Sequence, residues 1–366
     1  MKNQELRYLL ALQKAEGIGD IYAKKLIKYC GSAEAIFSEK SSNLLKIDGI
    51  GSKKLKGFKD KKLLLAKADK ELEFITKNNV AVSAFTDKEY PERLKHAVDS
   101  PILIFQKGNI EFKQQRIISI VGTRNLTNYG RSFLEKFVEE IAKYNPLIVS
   151  GLAYGVDVLA HQLAIKNNLQ TVAVLAHGLD RVYPSRHQNE AKKMQENGGL
   201  LTDFWSGSTP ERANFIKRNR IVAGISQATI VIESASKGGS LITADIANSY
   251  NRDVFALPGR VSDLYSKGCN TLIKTNKAAL LQSAKDLAYL LNWEKTKTKP
   301  IQKQLFVELD DNETIIYNYL LKEGKQILDI IALHNNLPIF KVSSLLLNME
   351  LKGVIRPLHG KLFEVI

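Results

Sequence analysis

From about residue 116 the chain alternates short apolar runs with segments whose apolar residues recur at helical spacing. The runs at 117–121, 147–149, 171–176, 200–202, 229–232 and 254–257 are expected as strands. Between them, 129–144, 156–167, 185–196, 212–225 and 241–248 are expected as helices. This alternation predicts an α/β fold, a parallel sheet wrapped by helices, with ligands received at the carboxyl ends of the strands. The first 75 residues have a different pattern, short helices separated by two related turns, Glu16-Gly17-Ile18-Gly19-Asp20 and Asp48-Gly49-Ile50-Gly51-Ser52. Towards the other end, 314–321, 327–334 and 339–351 show helical spacing, and two short strands flank Gly360, the pattern of a small winged helix. The stretch 293–304 is lysine-rich and aperiodic, and reads as a linker. The expected domains are therefore 1–75, 76–292 and 305–366, with that linker before the last.

Composition narrows the class of partner. The chain of 366 residues holds 53 Lys and Arg against 38 Asp and Glu, a formal charge of +15, which favours a nucleic acid or another polyanion. The excess is uneven: residues 1–75 carry 16 basic and 10 acidic groups, while 293–366 carry 10 and 9. Cys30 and Cys269 are far apart and without ligand spacing, so neither a disulfide framework nor a metal site is expected. No apolar run approaches the roughly 20 residues of a membrane span, and the opening Met-Lys-Asn-Gln-Glu has no signal core, so a soluble, cytoplasmic protein is expected.

Three loops at strand ends carry the candidate chemistry. They contain Gly122-Thr123-Arg124, Ser150-Gly151 and Gly239-Ser240, small residues that let backbone N–H groups approach a ligand. Beside them runs Asn214-Phe215-Ile216-Lys217-Arg218-Asn219-Arg220, where helical spacing puts Lys217 and Arg220 on one face and turns Arg218 away. Together these describe a phosphate grip in which Lys217 and Arg220 meet the anion; Arg218 could meet it as well, or could pair structurally with Glu233 or Asp245. A second phosphate contact could form at Gly17, Gly19, Gly49 and Gly51, with Lys53 alongside, if the two Gly-Ile-Gly turns present bare backbone as helix-hairpin-helix turns do; alternatively they only make tight connections. Asp157 and His161 stand one helical turn apart and read as a structural pair. No Gly-x-Ser-x-Gly elbow or Gly-Lys-Ser/Thr loop is present. No catalytic residue and no cofactor is assigned.

The motifs taken in order, Ile120-Val-Gly-Thr-Arg124, Val149-Ser-Gly-Leu-Ala-Tyr-Gly-Val-Asp157, Arg218-Asn-Arg-Ile-Val-Ala-Gly-Ile-Ser226, Gly239-Ser-Leu-Ile-Thr-Ala244, Val254-Phe-Ala-Leu-Pro-Gly259 and Gly268-Cys-Asn-Thr-Leu-Ile273, resemble the DNA-processing protein A family, also called DprA or Smf. The resemblance implies an extended Rossmann-like domain that binds single-stranded DNA, forms a homodimer and loads the recombinase RecA in natural transformation, flanked by helix-hairpin-helix-like and winged-helix domains. Carried over by position, the strand would meet Arg124, Ser150, Gly151, residues 214–220, Gly239 and Ser240. One departure is Ile216, where many members place a proline after the phenylalanine.

Two other readings compete. Nucleotide phosphoribohydrolases share a related sheet with a Gly-Gly phosphate loop, but their pattern has a glutamate where this chain has Ala244. A protein-binding adaptor would use the basic surface on acidic partners. The segment 339–351 offers only Lys341 against Glu350, so the last domain is expected to contact protein or to support rather than grip duplex DNA.

Overall fold

The computed structural model describes residues 3–113, 116–293, 309–358 and 360–365. Apart from Trp293, the expected linker lies outside the described residues. The chain divides into two compact units, Met1–Glu294 and Lys295–Ile366.

The first unit is built on one sheet of nine strands: β1 (Ala81–Ala84), β2 (Leu103–Asn109), β3 (Ile117–Val121), β4 (Leu147–Ser150), β5 (Thr171–Val174), β6 (Gly198–Thr202), β7 (Ala228–Val231), β8 (Asp253–Ala256) and β9 (Ala279–Leu280). Their order is β1-β2-β6-β5-β4-β3-β7-β8-β9. From β6 to β9 all neighbours are parallel, and β1 and β2 add an antiparallel edge. The central strands β3, β4, β5 and β7 are buried at every position. Being covered on both faces, they appear in the sequence as continuous apolar runs rather than alternating ones.

Strand order decides where a ligand can sit. The chain lays β3, β4, β5 and β6 in one direction, then returns to place β7 on the other side of β3. The loops leaving β3 and β7 therefore diverge to opposite faces and open a crevice at their carboxyl ends.

The helices Asn3–Gln13, Asp20–Cys30 and Lys61–Lys77 bury their apolar faces in a cluster that continues into Leu103, Phe105, Leu175 and Trp205 of the sheet region. Polar contacts reinforce this junction. Trp205 Nε1 donates to Gln13 Oε1 at 2.7 Å, and buried Glu71 accepts from the Ser206 N–H and hydroxyl at 2.9 and 2.5 Å. In the two Gly-Ile-Gly turns Ile18 and Ile50 are buried, while Gly17 and Gly49 take φ of +75° and +79°, a region that disfavours a side chain.

In the second unit, helices Asp311–Glu323, Leu328–His334 and Ile339–Leu351 surround Ile316, Leu320, Ile331, Val342, Leu346 and Met349. Ile355–Leu358 and Leu362–Val365 pair antiparallel across Gly360, and Gln326–Ile327 adds a third short strand. No single helix among the described residues is long and apolar enough to cross a membrane.

Candidate nucleic-acid interface

A cavity of about 390 Å³ fills the crevice between β3 and β7. The loop after β3 contributes Gly122, Thr123, Arg124 and Asn125; the loop after β7 contributes Ser234, Lys237, Gly238, Gly239 and Ser240; Ala153 and Asp157 come from beyond β4. The helix Arg212–Ile225 closes it with Phe215, Arg218 and Asn219. Gly238 caps the helix Gly239–Ser249, whose first N–H groups have no intrahelical acceptor and confer partial positive charge there. Ser240 Oγ donates to Ser234 Oγ at 3.0 Å, and Asn219 Nδ2 donates to the Gly239 carbonyl at 3.4 Å, holding the loop against the neighbouring helix.

Arg218 is the central cation of this cavity. It is 5% exposed, its Nε is buried, and its guanidinium makes no hydrogen bond among the described residues. Gly151 lies against it: a Cβ built there would stand 1.8 Å from Nη1. Burial pulls the Arg218 pKa down, and the nearby Asp157 carboxylate works against that fall. Burial raises the Asp157 pKa, opposed by Arg218 and by hydrogen bonds that include one from the Ala153 N–H.

The expected division of labour along this helix is reversed. Lys217 and Arg220 do share a face, but it points away from the cavity, towards the N-terminal helices. Arg220 is 8% exposed and bonds Asp203 at 2.7 Å, Asp20 at 3.0 Å and the Asp99 carbonyl. Both of its terminal nitrogens are engaged by protein oxygens, its buried Nε has no partner among the described residues, and it lies outside the cavity lining. The alternative partners named for Arg218 are engaged elsewhere. Glu233 accepts from the Thr127 N–H and hydroxyl at the start of the helix Asn128–Ile141, and Asp245 pairs with Lys277.

Other expected contacts also move. Ser150 is fully buried, with Oγ donating to the Ile120 carbonyl at 2.6 Å, outside the cavity lining. Gly151 acts from behind Arg218. Asn214 Nδ2 donates to the Thr209 carbonyl at 3.0 Å, outside the cavity lining. At the rim, the Arg124 guanidinium lies 5.8 Å from the Phe215 ring centroid, and Tyr183 meets the same ring edge-on at 6.1 Å. Lys237, Asp157, Asn125 and Tyr265 also line the cavity and are not among the contacts expected from the sequence. Lys237, directly before the glycine pair, was the one with a visible signal. Asn125 and Tyr265, which hydrogen bond at 3.0 Å across 140 residues, had none.

The N-terminal turns are partly committed already. Asp20, next to Gly19, holds the Ile102 N–H and Arg220; Lys54 donates to the Gly49 carbonyl and covers the Tyr22 ring. Gly17, Gly19, Gly49, Gly51 and Lys53 remain exposed.

The Asp157–His161 pair does not form. His161 Nδ1 lies 2.7 Å from Thr171 Oγ1, whose own proton goes to the Ile148 carbonyl at 2.9 Å. The histidine proton therefore sits on Nδ1, leaving Nε2 buried without a partner among the described residues. Burial, then the positive charge of Arg218, brings its pKa down to about 3. In the unfolded chain a histidine titrates near 6.5. Below that pH the unfolded state gains a proton that the folded state refuses, so stability falls between about 6.5 and 3 and is unaffected above. Unfolding in urea at pH 7 and pH 5 should show a loss that His161→Gln reduces by up to about 2 kcal/mol. An equal loss in both proteins would remove His161 as the cause.

Residues 81–292 match the family model described as DNA recombination-mediator protein A, more than half of the chain. The chain belongs to this family. Within it, the Smf protein of Synechocystis is 33% identical over 79% of this chain and 74% of its own length. The DprA structure from Streptococcus pneumoniae superimposes with a TM-score of 0.66 at 30% identity, covering 77% of this chain and 97% of that one. DNA processing protein A from Helicobacter pylori, whose structure concerns a single-stranded DNA binding mode, covers 58% of this chain and 95% of its own at 26% identity, TM-score 0.53. The family match spans every strand and loop that builds the cavity, from β1 to the end of β9.

Proposed function

We propose that this protein binds single-stranded DNA in the cavity between β3 and β7 and delivers the strand to the RecA recombinase in natural transformation and recombination. The observation that carries this reading is Arg218: a buried guanidinium with free donors, facing a cavity at a helix N-terminus, is matched by an anion. Arg124 and Lys237 add charge at the rim, and the Phe215–Tyr183 pair offers a face on which bases stack. Such contacts read backbone and ring faces, so sequence preference is slight.

The family resemblance supports a homodimer, RecA as partner and a cytoplasmic setting. In the same reading the sheet is an extended Rossmann-like domain, 1–75 are helix-hairpin-helix-like, and 305–366 are a winged helix. The exposed side of the helix Ile339–Leu351 carries Phe340, Leu347 and Leu351, which suits protein contact better than duplex DNA. Binding rather than hydrolysis is favoured because buried Ala244 stands where a phosphoribohydrolase has its glutamate.

Arg124→Ala tests the site. Arg124 is exposed and ion-paired to no acid among the described residues, so its loss should leave the melting temperature unchanged. Affinity for a fluorescent oligothymidylate should fall about tenfold, and the slope of log K against log salt should shrink by about 0.7, one phosphate contact on a single strand. Parent-like affinity and slope would refute the assignment.

A further inference from the structure

The helix Arg212–Ile225 stands between two depressions. Phe215, Arg218 and Asn219 face the cavity described above, while Lys217 faces a second cleft of about 130 Å³. The other walls of this cleft are the turn that carries Lys14, Ile18 and Gly19, and the segment that carries Phe204, Trp205 and Ser208.

Its charges are unbalanced. Asp20 and Asp203 also line it, but both are bound to Arg220, and Lys24 adds a further positive charge near Asp20. Glu71, the acid that acts on Lys14, already accepts two hydrogen bonds from Ser206. The Lys14 and Lys217 ammonium groups are left without an ion pair or hydrogen bond among the described residues. Each is placed by a ring instead: Lys14 Nζ is 4.5 Å from the Trp205 centroid and Lys217 Nζ is 6.0 Å from that of Phe204. Burial lowers the Lys14 pKa; Glu71 opposes the fall, while Lys67 and Lys217 add to it.

We propose that this cleft is a second phosphate contact for the same strand, which leaves the cavity, crosses the exposed helix start at Lys217 and places a later phosphate between Lys217 and Lys14. The inference rests on the strand-binding reading of the cavity. It extends the path from the sheet to the N-terminal helices and makes affinity depend on strand length.

The test uses the full chain, fluorescence anisotropy and oligothymidylates of about 4 and about 16 nucleotides, the span of single-strand site sizes. Melting of Lys14→Gln is measured alongside, because Lys14 Nζ covers the Trp205 ring, and a match with the parent assigns any change in binding to the lost charge. With the short strand Lys14→Gln should bind as the parent does. With the long strand it should bind about three- to tenfold more weakly, with a salt slope smaller by about 0.7, and Lys14→Arg should restore both. If Lys14→Gln matches the parent at both lengths while Arg124→Ala still weakens binding, the cleft is not on the path and this inference alone fails. If Arg124→Ala also binds normally, the cavity reading fails, and this inference with it.

Discussion

Replacing Arg220 by methionine is expected to lower the free energy of unfolding by about 3–5 kcal/mol, because the change leaves buried carboxylates without their counterion. Asp203 is 8% exposed, and one of its oxygens, Oδ1, already has no partner among the described residues. Burial raises the Asp203 pKa, and Arg220 is the main force opposing that rise. Asp20 leans on the same guanidinium at 3.0 Å and also holds the Ile102 N–H at 2.9 Å. Loss of Arg220 therefore loosens the contact between the N-terminal helices and the sheet. Urea unfolding measures the loss, and adding Asp203→Asn should recover part of it by removing one stranded charge. Near-parent stability combined with a large drop in strand affinity would return Arg220 to the phosphate site.

Gly151→Ala should cost the protein its strand affinity by a different route, since the methyl group and the Arg218 guanidinium cannot occupy the same space. The added Cβ would lie 1.8 Å from Nη1 and 2.5 Å from Cζ. Gly151 is part of the β4 loop and is itself buried, so the arginine must move. A hydrogen bond to a charged group contributes about 1.5–3 kcal/mol, so its loss weakens binding roughly 10- to 100-fold. Anisotropy titration of protein that circular dichroism shows to be folded separates this effect from unfolding. Parent-like affinity would mean that Arg218 is not the anchoring cation.

Most of the parallel sheet was legible because its strands are buried on both faces. Runs such as Ile117–Val121 leave little choice of state, and the helices between them carry their own period. The three helices of the second unit were legible from their own period, and the hairpin from Gly360 between two short runs, although those strands are only partly buried. The antiparallel pair β1 and β2 was not recognised. Ala81–Ala84 is four residues of mixed burial, and β2 is held by its registers with β1 and with β6, about a hundred residues later. Such pairing leaves no local period to read.

The candidate site divides along the same line. Gly122, Thr123, Arg124, Phe215, Arg218, Asn219, Gly239 and Ser240 do line one cavity, as three small-residue loops at strand ends suggested. Ser150, Asn214 and Arg220 lie outside it because nearby carbonyls and carboxylates claim their polar groups.

The sequence by itself determined the periods: which segments become strands or helices, that glycine-rich loops follow β3, β4 and β7, and that Lys217 and Arg220 share a helix face opposite Arg218. Only the tertiary structure decided which face meets the cavity. Helical spacing fixes the angle between side chains and leaves the rotation of the whole helix free. That rotation was set by Asp20 and Asp203, distant in sequence, which bind Arg220 on one side and leave Arg218 facing the ligand space on the other.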